Sequence, residues 1–136
     1  MVSTGVGRWS RSILLGAVML ILVTSCGGRP DLDSWDPKWL ELAETVTGEI
    51  SAAAPPEREA CDHLLGRVRA GLPELRPAPN DVVGAAVDAW GEFAESVLFE
   101  CPLVRGEHAG WDAAVLELQR LRAEIDAEID FERSRD

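Results

Sequence analysis

Three proline-bearing joints limit what this chain can become. Pro55-Pro56, the stretch LPELRPAPN at residues 72–80, and Pro102 interrupt the sequence between residue 36 and its end. Proline has no N–H to give and restricts the residue before it, so a helix running into such a joint must stop. Between the joints, apolar residues recur at steps of three and four, the repeat of a helix with one buried face, while strand signals are weak. The expected fold class is therefore all-α, a small antiparallel bundle of about four helices.

The first helix is expected from Asp36, an N-cap residue type, with Pro37 at the first helical position, where a missing N–H costs nothing. Trp35, ahead of that cap, would pack on Leu40 as a hydrophobic staple. Trp39, Ala43, Val46, Ile50 and Ala53 make its inner face. The second helix is expected from Pro56 to about Gly71, with Cys61, Leu64, Leu65, Val68 and Leu72 inward. Asn80 or Asp81 caps the third, whose inner face is Val83, Val87, Trp90, Ala94, Val97 and Cys101. The fourth is expected from about Glu107 to Phe131, with Trp111, Ala114, Leu118, Leu121 and Ile125 inward. Its end, DFERSRD, loses the pattern and is expected to fray. Gly48, Gly66, Gly84 and Gly91 fall inside these helices, at up to about 1 kcal/mol each relative to alanine.

The beginning of the chain has another character. Arg8 and Arg11 precede an uncharged run from Ile13 to Val23, shorter than the ~20 residues a membrane-spanning helix needs. The run leaves through Val23-Thr24-Ser25-Cys26 into Gly27-Gly28-Arg29-Pro30. A charged start, a short apolar middle and a small-residue exit describe an export signal. The exit resembles the lipobox of bacterial lipoproteins: aliphatic, small, small, cysteine. That resemblance covers residues 1–26 only. It implies lipidation of Cys26, with diacylglycerol on the sulfur and cleavage just before it, and localisation to the extracytoplasmic side of the cell membrane. Two or more acyl chains hold a protein there stably. The implied division is a signal peptide over 1–25, a lipidated cysteine and flexible tether over 26–35, and a helical domain over 36–136.

Cys61 and Cys101 are then the only cysteines left to pair. An exported protein enters an oxidising space, where an even pair reads as a disulfide. Cys61 lies near the start of the second helix and Cys101 at the end of the third, so antiparallel packing brings them together on two core faces. Cys61, His63, Cys101 and His108 also have the residue types of a zinc set. However, residues two apart on a helix point to nearly opposite sides, so His63 leaves the face of Cys61 and no metal site is expected. The acids of DLDSWD approach the start of a calcium loop. The pattern then fails at Trp35, Asp36 and Leu42, which stand where a ligand, a glycine and a bidentate glutamate are needed.

Charge excludes further classes. The formal net charge is −11, and removal of Arg8 and Arg11 with the leader takes it to −13. Such a domain repels nucleic acid and anionic lipid, which leaves attachment to the membrane to acyl groups on Cys26. Glu124, Asp126, Glu128, Asp130 and Glu132, beside Arg120, Arg122 and Arg133, are read as a solvated face. No nucleophile motif, phosphate-cradling loop or cofactor motif is present, so no catalytic residues, no cofactor and no enzyme activity are expected.

Phe99 and Leu116 stand apart, because each falls nearly opposite the core stripe of its own helix. With the third and fourth helices antiparallel neighbours, both are expected on one outer side. There they would form a contact for an envelope protein or wall component, with the acids of the fourth helix favouring a basic partner. The expected function is a non-enzymatic interaction module at the cell envelope. The alternative is a small-molecule or lipid-binding helical module with a site near Trp90 and Trp111.

Overall fold

A computed structural model describes residues 28–50, 56–101 and 108–135. The expected Cys26 and its leader, and the expected inner residue Ala53, lie outside the described residues. Four helices follow in order: α1 over Leu32–Ile50, α2 over Arg58–Glu74, α3 over Asp81–Glu100 and α4 over His108–Arg133. Each packs on the next and α4 returns to α1, closing a bundle of four helices. Among the described residues there is no strand, and no helix is long and apolar enough to cross a membrane.

The expected stripes make the core. Trp39, Val46, Leu64, Val68, Val83, Trp90, Leu118 and Ile125 are fully buried, as are both cysteines. A disulfide joins Cys61 to Cys101 across 40 residues, with Cα atoms 6.4 Å apart. Closing a loop of that length contributes about 4 kcal/mol in the chain-entropy treatment. α3 begins as its sequence asks: Asn80 is extended, and its side chain accepts the Val83 N–H at 2.8 Å.

α1 departs from expectation. It starts at Leu32, ahead of Asp36, and its first turn is closed by Asp31, whose carboxylate accepts the Ser34 N–H at 2.8 Å. Asp36 is not a cap. It is buried within the helix and pairs with Arg133 near the end of α4, and Pro37 follows it as an interior proline. Trp35 is not a staple ahead of a cap either, but a residue inside the helix. It is 2 % exposed, stacks on Trp39 with ring centroids 6.5 Å apart, and donates its indole N–H to the Leu75 carbonyl at 2.9 Å. Burial of a large indole and an ion pair from another helix outweigh the preference of Pro37 for a first turn. The tether therefore gives up residues 32–35 to the helix.

Two other ends also run longer than expected. α2 continues through Pro73 to Glu74, and Leu75 just beyond is buried. α4 continues to Arg133 with Ile129 buried, and Arg133 ties this end to Asp36 of α1.

Candidate functional site

The expected contact pair, Phe99 and Leu116, is exposed as the helical periodicity requires, at 68 % and 66 %. The structure does not bring the two together. Phe99 continues the row Asp88, Glu92, Glu95 on α3, at steps of four, three and four. In that row Asp88 pairs with Arg76, just past the end of α2, and Glu95 with Arg69 of α2 at 3.3 Å. Phe99 thus belongs to the α2–α3 face. Leu116 lies in the row Asp112, Gln119, Ala123 on α4, and the last two of these line the groove against α1. The two apolar side chains occupy different faces, because α3 and α4 turn their outer rows away from each other.

The α1–α4 groove measures about 460 Å³ and is lined by Glu44, Thr47, Gly48, Gln119, Arg122, Ala123 and Asp126. Its floor is a polar seam that joins the two helices. Arg122 donates to the Thr47 hydroxyl at 2.7 Å and its guanidinium lies 3.5 Å from Asp126. Asp126 in turn accepts the indole N–H of Trp39 at 3.0 Å. About two helical turns further along α4, the hydrogen bond and charge of Asp36 raise the pKa of the Arg133 guanidinium, which fixes its positive charge. The acidic row of α4 is accordingly not a solvated face throughout: Asp126, Arg122 and Arg133 serve the α1 contact. Only its outer part meets the expectation. There Arg120 binds both Glu117 and Glu124, and its hydrogen bond to Glu117 lowers the pKa of that carboxyl.

The seam carried a sequence signal that reading for apolar residues alone passes over. Asp36, Leu40, Ala43 and Thr47 repeat the four-three-four spacing of the core on α1, and Arg122, Asp126, Ile129 and Arg133 repeat it on α4. Two polar rows of core periodicity on different helices are candidates to face each other.

His63 is exposed and Cys61 is held in the disulfide, while His108 opens α4. Among the described residues, no group of three or more His, Cys, Asp or Glu is placed to hold a metal ion. Trp39, Trp90 and Trp111 are core residues, with Trp39 and Trp90 meeting edge to face at 5.1 Å. Among the described residues, the buried indole nitrogens of Trp90 and Trp111 have no hydrogen-bond partner.

Charge is unevenly divided along the bundle. Cut across the bundle at the level of Trp39, Trp90 and Asp126, the disulfide half (residues 41–50, 56–66, 90–101 and 108–125) holds twelve Asp and Glu against three Arg, a net of −9. The half where α1 begins (28–40, 67–80, 81–89 and 126–135) holds ten against seven, a net of −3. Among the described residues, Glu49, Glu59, Asp62, Glu92, Glu100 and Asp112 of the disulfide half make no ion pair, and neither do Asp31, Asp33, Glu74 and Glu128 of the other half. Comparison with protein-family models, with curated proteins and with solved structures finds no match to this chain.

Proposed function

We propose that the protein is a membrane-anchored extracytoplasmic lipoprotein that works as a non-enzymatic interaction module at the cell envelope. The observation that carries this reading is Val23-Thr24-Ser25-Cys26 at the exit of a short apolar run, with Arg8 and Arg11 ahead of it. A disulfide between the two remaining cysteines suits the oxidising space that such a signal leads to. The order of the elements supplies an orientation. α1 begins at Leu32, close behind Cys26, so the end with net charge −3 would stand at the membrane. The disulfide end would stand about 27 Å further out, the rise of α3 from Asp81 to Phe99. The more acidic end is thereby kept from anionic headgroups and presented to other envelope components.

Replacement of the lipid attachment site tests the reading. Cys26→Ala should leave an unprocessed precursor without fatty-acid label, while the parent protein is shortened and labelled. Equal labelling of both proteins would refute the lipoprotein assignment.

A further inference from the structure

We infer that the outer face of α2 and α3 at the disulfide end, centred on Phe99, docks a basic polypeptide segment that carries a large apolar side chain. The inference rests on the interaction-module reading and narrows it to one face and one chemistry. Phe99 is the most exposed large apolar side chain among the described residues. It stands in a setting where acids outnumber bases: Glu92 lies in its row, Glu100 follows it in sequence, and Glu59 and Asp62, with Arg58 beside them, lie on the facing end of α2. None of these four acids makes an ion pair among the described residues.

Two features of this face are unfavourable in the isolated domain and are relieved by one kind of partner. Exposed Phe99 gains nothing from folding, and its ring is recovered from water only in a complex. Glu100 sits at the C-terminal end of α3, where no basic residue occupies the last turn, so its charge adds to the negative end of the helix dipole. Lysine or arginine brought to this end relieves the second feature, and an apolar side chain beside it relieves the first.

The same features exclude other occupants. Anionic lipid and nucleic acid are repelled by a half carrying −9, and a second copy docked through the same face would set like charges against each other. Leu116 has no part in the site, because it lies on the α1–α4 face. Its row of Asp112, Gln119 and Ala123 holds a single acid.

The probe is a synthetic peptide rich in lysine with one central phenylalanine, titrated into the isotope-labelled full-length protein and followed by backbone NMR shifts. Saturable shifts should map to α2 and α3 around Phe99. Phe99→Ser and the double variant Glu92→Gln/Glu100→Gln should each weaken binding at least fivefold, with the melting temperature within a degree or two of the parent. Leu116→Ser should bind as the parent does, and raised salt should weaken binding throughout. No saturable binding, shifts centred on the α1–α4 groove, or unaltered affinity of Phe99→Ser would overturn the proposal. Photo-crosslinkers at positions 99 and 116 in cells separate the two readings. Crosslinks from 99 to basic segments support this face. Crosslinks from 116 alone leave an interaction module but remove this face, and none from either removes both.

Discussion

At the end where α1 begins, Trp35 hydrogen-bonds the Leu75 carbonyl, Asp36 pairs with Arg133, and Arg29 reaches Asp81 at 2.6 Å. All four helices are tied there by packing and by paired charges. At the other end the helices carry three times the net charge, twelve acids stand against three arginines among the described residues, and a covalent bond joins α2 to α3. The contrast suggests why the disulfide is placed where it is. Like charges push helix ends apart, and a small core has little surplus with which to oppose them. A disulfide at the acidic end lets that surface stay acidic without loss of the fold.

Trp39 packs on Trp90 where the two halves meet. It is fully buried, touches Trp35 and Trp90, and holds Asp126 through its indole N–H. Trp39→Ala should cost about 3–5 kcal/mol by chemical denaturation. Trp39→Phe, which keeps most of the ring but not the donor, should cost about 1–2 kcal/mol. If the alanine variant melts like the parent, the core does not centre on these indoles.

Removal of the disulfide should come next. Cys61→Ser with Cys101→Ser should lose about 2–5 kcal/mol, the range for native disulfides of small exported domains. The two losses should then differ in their response to salt. Raising ionic strength screens exposed charges beyond about 10 Å. It should restore more stability to the disulfide variant than to Trp39→Ala, because only the former frees mutually repelling ends. Equal recovery in both variants would show that the covalent bond is not opposing charge.

The parts that were legible in the sequence are those decided locally. Joints, helix number, the Asn80 cap and the inner stripes follow from residue type and spacing within one segment. The Cys61–Cys101 pair needed one further step, that short joints make neighbours antiparallel. The start of α1 was not legible in this way. Asp31 and Asp36 are both caps by type, and the choice between them is made by Arg133, 97 residues away, and by burial of Trp35. Phe99 and Leu116 show the same limit. The helical repeat places each opposite its own core, but which neighbouring helix it leans towards depends on where α1 and α2 pack. Arg69, Arg76 and the α1–α4 groove reveal that only in three dimensions.

The smallest effect lies in the glycines, and it tests how closely the helices approach. Gly66 lies at the middle of α2, with no atom within 4 Å of where a Cβ would stand. Gly66→Ala should therefore stabilise the domain by about 0.5–1 kcal/mol, through helix propensity and a less free unfolded chain. Gly71, further along α2, is a different case. A Cβ there would come within 2.9 Å of a Leu42 methyl, and Leu42 is itself buried against the core. The propensity gain at Gly71 is offset by a displaced leucine, and crowding of this kind costs about 1–3 kcal/mol. Gly71→Ala should thus be neutral to destabilising while Gly66→Ala raises the melting temperature by a few degrees. Gly91→Ala should fall between them. The obstructing Leu72 methyl lies at 2.7 Å, but Leu72 is only half-buried and can turn outward. Equal gains at 66 and 71 would mean that α1 and α2 stand further apart than Leu42 and Gly71 indicate.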